Sequence, residues 1–411
     1  MKFQHKLNSY LPIIYVAVSA FGVSMSIAGY GVFLPLLMLI FLQYVIDRNQ
    51  KRSEILETTD TKLYFAYIII FVICSIFNGD GNFGRNSLLV NYFLSVLIYL
   101  VISMDIKSTE QINKICNTLL ILLILNCVVT LLQYVNNPIG WSVWFYFNDA
   151  QTVRQVASIE NMDAGTQMIG RGNLFCPGIF PSQVYNGYIV GSLATIALYK
   201  FRDAAKMGYI IIYGLVLLLI AYSLIVIQQR MAFFLFIIVL AAVLYYKSKP
   251  LTVVMVGIIF VAYLLNGINV GEEQLGRLVD LDDKNRYILY SEGLEYVISH
   301  LWVGGRSEFM AAHSLSVHNV ILNAFMYGGF FGAILIMIIY MRMCMKSLKI
   351  IIASFMGHST GKTSMFAYAL LIYNIISLTH NNSLLTGDPI IWVLYGLMLL
   401  SLKFEKNGQR A

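Results

Sequence analysis

About twelve apolar stretches punctuate this chain of 411 residues, and each is close to the ~20 residues a helix needs to cross hydrocarbon. They run over Tyr10–Ala28, Tyr30–Ile46, Leu63–Phe77, Leu88–Met104, Cys116–Val135, Tyr185–Tyr199, Gly208–Ile227, Ala232–Tyr246, Leu251–Leu265, Asn319–Tyr340, Met365–Thr379 and Ile390–Leu402. Inside lipid, backbone N–H and C=O groups find no water, so each stretch has to satisfy them as a helix. The expectation is an all-α integral membrane protein of about 12 transmembrane helices, forming one polytopic domain over residues 1–411. Composition agrees, with 58% hydrophobic residues, 12% charged residues and a mean hydropathy of +0.72. The first span lacks a small-residue cleavage site and is followed by more spans, so it does not read as a cleavable signal peptide.

Charge orients the spans. An even number puts both termini on one face, and the loops of that face hold 20 of the 28 cations, fifteen Lys and five Arg. The positive-inside rule makes that face cytoplasmic. The other face keeps eight: Arg85, Arg154, Arg171, Arg230, Arg277, Lys284, Arg286 and Arg306. Orientation needs only positive charge inside, and gives no reason for arginine to replace lysine outside. A planar, permanently charged, bidentate donor suits phosphate better than an ammonium does. The outer face therefore reads as one built to hold an anion. The formal net charge of +7 reflects this asymmetry and does not imply a nucleic-acid partner.

Two outer segments are long. The first, residues 136–184, is rich in Gly, Asn, Pro and aromatics, whose flat faces suit stacking against sugar rings or packing onto the membrane. The second, residues 266–317, contains a stretch from Asp283 to about Leu301 with helical periodicity. Tyr287, Ile288, Tyr290, Leu294, Val297, Ile298 and Leu301 share a face opposite Glu292 and Glu295, which predicts an amphipathic helix on the outer membrane surface. The five cysteines form no CxxC pair and no disulfide framework, and read as small apolar filler. "GHSTGKTS" (Gly357–Ser364) imitates part of a phosphate loop, but lacks the full spacing and follows a span instead of a strand.

Three positions on the outer face stand out. Arg230 lies between "IVIQQ" and "MAFFLF", at a turn with almost no loop; an arginine there either anchors the interface or meets an anion. Arg286 falls in the first turn of the expected amphipathic helix, near Asp282 and Asp283, where a surface ion pair is the simple alternative. His318, followed by Asn319, stands at the mouth of a span whose Gly328, Gly329, Gly332 and Ala333 permit close packing. It is either a polar cap or a base titrating near neutrality. A metal site is not expected: His313 and His318 are five apart, off the i, i+4 spacing of one helical face. Asn381 and Asp388 in the outer turn "HNNSLLTGDP" could orient a base, and nothing in the sequence assigns roles to them, to Arg154, to Arg277 or to Arg306.

"IVIQQRMAFFLFIIVLAAVL", "NRYILYSEGLEYVISHLWVGG" and "VHNVILNAFMYGGFFGAIL", in this order, resemble the bacterial O-antigen polymerase and ligase superfamily. In that family an Arg ends a span, a second Arg opens an outer-loop helix, and a His-Asn pair begins the next span ahead of a glycine-rich stretch. "RGNLFCPGIFPSQVYNGYIVG" (Arg171–Gly191) is similar to the Gly/Phe/Pro-containing approach to the middle span. These motifs cover about a fifth of the chain.

The resemblance implies a metal-independent, inverting glycosyltransferase of GT-C-like architecture, without a cofactor. Its donor would be an oligosaccharide on undecaprenyl pyrophosphate in the outer leaflet of the bacterial inner membrane. Arg230 and Arg286 would hold the pyrophosphate, with Arg171 and Asn319 joining the substrate-binding set, and His318 would serve as the base. A chain-length regulator and a flippase are the implied protein partners. Ligases tend to carry an acidic residue soon after the His-Asn pair; "NVILNAFMYGG" has none, which leans toward polymerase. The rivals are a ligase joining the glycan to lipid A–core, and a non-enzymatic carrier of lipid-linked oligosaccharide. A carrier should place charges near the bilayer midplane and show repeat symmetry, and neither is evident here.

Overall fold

A computed structural model describes residues 2–21, 26–27, 30–31, 39, 42, 59–77, 87–148, 176–227, 229–245, 250, 253–258, 260–261, 284–305, 308–309, 312, 317, 319–356, 361–380 and 389–408. Its helices are α1 (Lys2–Phe21), α2 (Thr59–Phe77), α3 (Ser87–Asp105), α4 (Thr109–Tyr134), α5 (Pro138–Phe147), α6 (Gln183–Asp203), α7 (Met207–Ile227), α8 (Arg230–Tyr245), α9 (Lys284–Ser299), α10 (Val320–Phe355), α11 (Gly361–His380) and α12 (Pro389–Gly408). A two-residue antiparallel pair joins Ser26–Ile27 to Tyr30–Gly31. In the apolar stretch that begins at Tyr10, helix is described as far as Phe21, and Ser26–Ile27 near its end is a strand.

Among the described residues four helices, α2, α4, α7 and α10, are long and apolar enough to cross a membrane, and α1, α3 and α8 contain shorter apolar segments. The distribution of side chains fits lipid as solvent. The strongly apolar α7 turns Tyr209, Ile211, Ile212 and Leu215 outward. By contrast α6, which carries Asn186, Ser192 and Thr195, is buried on all sides from Asn186 to Tyr199. In water that order would be reversed; in hydrocarbon the polar groups are the ones that need company.

The core follows from this rule. Around α6 pack α4, α7, α8 and α11; α10 lies between α2 and α11, and α12 lies against α11, α3 and α1. Gly328 and Gly332 let α10 approach α2, since a β-carbon at either would sit 3.4 Å from the Tyr67 ring. Helices α10 and α11 run antiparallel, with the Tyr340 hydroxyl donating to the Asn374 carbonyl. Helices α6 and α11 do the same, through ring contacts between Tyr188 and Tyr373 (5.7 Å) and between Tyr199 and Tyr368 (6.4 Å). So α6 and α10 begin at the same end of the bundle.

The opposite end gathers the lysine-rich segments. Thr109 of α4, Asp203 of α6, Gly361 and Lys362 of α11, and Glu405 of α12 line one cavity of about 350 Å³. Nearby helices α2, α10 and α12 meet at Asp60, whose carboxylate accepts from Arg342, Lys346 and the Tyr395 hydroxyl.

Candidate functional site

At the end where α6 begins, the segment Cys176–Ser182 is held by amides from the last part of α4 and the first turn of α6. Gln133 grips Gly178 at both backbone groups, accepting from its N–H and donating to its carbonyl, each at 2.8 Å. Asn126 accepts from the Ile179 N–H (3.0 Å) and donates to Asn186 (2.7 Å), which in turn donates to Thr130 and to the Cys176 carbonyl (both 3.1 Å). Trp144 of α5 donates to the Phe180 carbonyl at 2.7 Å. Gly178 has φ of 64°, and a β-carbon there would stand 2.3 Å from Asn126 Oδ1, so the loop closes only over glycine. Part of the first long outer segment is thus ordered: α5 folds back along α4, and its tryptophans lie inside. Burial pushes the Cys176 thiol up, in keeping with an inert filler.

The same end receives the α7–α8 turn. Gln183 donates to the Ile227 carbonyl, and Gly187 leaves room for the Gln229 side chain. The backbone of Arg230 therefore starts α8 beside the first turns of α6.

Helix α9 closely matches its expected bounds. Its buried positions Gly293 and Val297, with half-buried Tyr290, pack against Val317 and Met326, alongside the first turns of α10. Ile288, Leu294 and Ile298, expected on the same apolar face, are exposed. The missing side chain at Gly293 lets Val317 approach, and that selects the packed face. Beyond α9 the chain turns through Leu301–Gly305 and splices into a break in α10. Gly329 there has φ of 57° and ψ of −161°, and Phe330 N–H donates to the Leu301 carbonyl at 2.7 Å instead of continuing the helix. Gly305 N–H donates to the Met326 carbonyl at 3.2 Å. Two glycines, 304 and 329, thus permit a backbone-to-backbone junction: a β-carbon would stand 2.3 Å from the Met326 carbonyl oxygen at Gly304 and 2.1 Å from that of Trp302 at Gly329.

Asn319 caps α10, its side-chain oxygen accepting from Ile321 N–H (2.9 Å) and Leu322 N–H (3.1 Å). The residue expected to touch substrate thus also sets where the helix begins. His300 pairs with Glu308 at 3.2 Å and stacks on Tyr296 with centroids 4.3 Å apart. Tyr296 donates to the same carboxylate, and burial together with that bond pushes its phenol up to about 12.

Of the sequence-derived candidates, the backbones of Arg230 and Arg286 are set at the starts of α8 and α9 and Asn319 at the start of α10. The side chains of both arginines, and the whole of Arg171 and His318, lie outside the described residues. Among the described residues no group of three or more His, Cys, Asp or Glu could hold a metal ion. The amides Asn126, Gln133 and Asn186 were not singled out from sequence. Their signal was available, because a polar amide within an apolar span needs a partner. No protein-family model matches the chain, and no characterised protein resembles it at a significant level.

Proposed function

We propose that this protein is a polysaccharide polymerase of the bacterial inner membrane. In this reading about twelve helices span the bilayer with both termini in the cytoplasm. The enzyme transfers a growing glycan from undecaprenyl pyrophosphate to a sugar hydroxyl of the next lipid-linked repeat unit, on the periplasmic face. One observation carries the reading: the four segments that resemble the polymerase and ligase superfamily lie at one end of the bundle. These are the clamped approach to α6, the start of α8, helix α9 and the start of α10. They come from distant parts of the chain, and their arginines belong to the face where lysine is nearly absent.

The chemistry follows from that grouping. When the bond from the sugar to pyrophosphate breaks, charge builds on the departing phosphate, so fixed guanidinium groups favour the transition state over the ground state. Arg230 and Arg286 fill that role, each placed by the first turn of a packed helix. His318 takes the proton from the attacking hydroxyl, and Asn319 fixes the helix start that follows it.

The test is glycan transfer by the purified protein in proteoliposomes supplied with undecaprenyl-pyrophosphate-linked repeat units. The expected product is a ladder of polymer that His318→Ala abolishes, while His300→Ala and a chelator change little. Normal turnover by His318→Ala removes the base from the mechanism. Transfer only to added lipid A–core identifies a ligase instead.

A further inference from the structure

The lysine-rich half of α10 carries two parallel columns of side chains. Ile338, Met341, Met345, Leu348 and Ile352 recur every three or four residues and are all exposed, forming an apolar column on the outside of the bundle. Roughly a quarter-turn away, between that column and the buried face of Ile339, Met343, Ser347 and Ile350, stand Arg342, Lys346 and Lys349. Arg342 and Lys346 share one carboxylate, that of Asp60, which is 0% exposed. Their own side chains remain 39% and 35% exposed. Lys346 also lies 5.1 Å from the centre of the Tyr395 ring, which helps to fix its ammonium. Lys349 is exposed, about two turns below Arg342, and has no ion-pair partner among the described residues.

Two cations held against one anion leave a surplus positive charge at a fixed place, and Lys349 adds a second. An arginine and a lysine that only balanced Asp60 would not need both. Immediately beside the charges runs a vertical apolar surface of the kind on which an acyl chain lies. Charge next to a hydrocarbon-facing column is the recognition pattern of a lipid with a negatively charged phosphate head. A phosphate takes charge-assisted hydrogen bonds from guanidinium and ammonium together, and the edge of the bilayer strengthens them relative to water.

We infer that Arg342, Lys346 and Lys349 form a specific site for the phosphate head of an anionic phospholipid, whose chains run from there toward Met341 and Ile338. Asp60 and Tyr395 are its positioning residues: they hold the two upper cations at the boundary between core and lipid. The site belongs to the end of the bundle remote from the α9–α10 junction, and it stands independently of the glycosyl-transfer reading.

The experiment compares retained lipid on full-length protein purified from mixed phosphatidylglycerol and phosphatidylcholine nanodiscs into mild detergent, by native mass spectrometry. The wild type should retain phosphatidylglycerol several-fold over phosphatidylcholine. Lys349→Gln, which touches no buried partner, should cut that preference several-fold with an unchanged melting temperature in phosphatidylcholine. The triple variant D60N/R342Q/K346Q removes the carboxylate together with its cations, leaves no buried charge orphaned, and should abolish the preference. Lys403→Gln on α12, another cation of the same end, should leave it intact. Equal retention of both lipids by the wild type overturns the site. So does an equal loss in Lys349→Gln and Lys403→Gln, because that outcome describes diffuse attraction to a positive face. Should the triple variant fail to fold, the two single variants decide the matter.

Discussion

Gly329 of α10 faces the carbonyl oxygen of Trp302 so closely that a β-carbon at the glycine would stand 2.1 Å from it. The junction therefore has no room for any side chain, and its backbone angles lie in a region that only glycine occupies freely. Gly329→Ala should destabilise the protein by at least ~1–3 kcal/mol from backbone strain alone, with the clash adding to it. The neighbouring Gly328→Ala meets the Tyr67 ring at 3.4 Å, an ordinary contact, and should be tolerated. Melting of both variants in detergent checks the contrast. Equal stability would mean that the chain does not splice at this point.

The clamp on Cys176–Ser182 makes a second expectation. Gln133→Leu keeps much of the volume but orphans the buried N–H and C=O of Gly178. A buried polar group left without a partner costs about 1–3 kcal/mol, so a clear fall in melting temperature is expected. Protease accessibility at the start of α6 should rise in the same variant. An unchanged melting temperature would show that water enters and replaces the amide.

How much of this was legible in sequence differs from element to element. Helices α2, α4, α7 and α10 were readable because apolar stretches of this length form helices in lipid, and α9 was readable from its periodicity. Its packing face was not: the period places Ile288, Leu294, Val297 and Ile298 together, and only the gap at Gly293 selects Val297 over the rest. The reach of α10 to Phe355, fifteen residues past the expected end at Tyr340, was hidden by Arg342, Lys346 and Lys349. Charges like these usually mark the end of a span, but here Asp60 of α2 lets the helix carry two of them along the bundle. Gly328, Gly329 and Gly332 signalled close packing, without revealing that Gly329 packs on the backbone of Trp302 and Val303.

Asn319 caps α10, and substitution can separate that role from the proposed contact with substrate. Asn319→Ala removes the cap of α10 and should cost ~1 kcal/mol, whereas Asn319→Ser and Asn319→Asp keep a capping oxygen and should preserve stability. If Asn319 also binds substrate, Ser and Asp should restore melting temperature without restoring polymer. Full recovery of polymer by both would confine Asn319 to capping.

The face assignment can be checked by labelling. The five native cysteines are buried or half-buried, which keeps the background low. Cysteines introduced at Asn161 and Asp282, both outside the described residues, should react with an impermeant thiol reagent in spheroplasts, and one at Ser53 should not. Reaction at Ser53, or silence at the other two, reverses the orientation and places the arginines on the wrong side for a periplasmic donor.

The arginine-for-lysine exchange on the outer face is the feature from which the phosphate reading grew, so the reverse exchange is its sharpest test. Arg230→Lys and Arg286→Lys keep the charge and the anchoring stem but remove the planar fork. Each residue lies in the first turn of a helix, α8 or α9, and lysine is as good a helix former, so insertion and melting should be unchanged. If the fork grips pyrophosphate in the transition state, one lost contact should lower the rate about 10²–10³-fold. The loss should fall on kcat more than on KM, since the charge that attracts the donor remains. Polymer of normal amount and length from both variants would reduce these residues to interfacial anchors, and the donor's phosphates would need another partner.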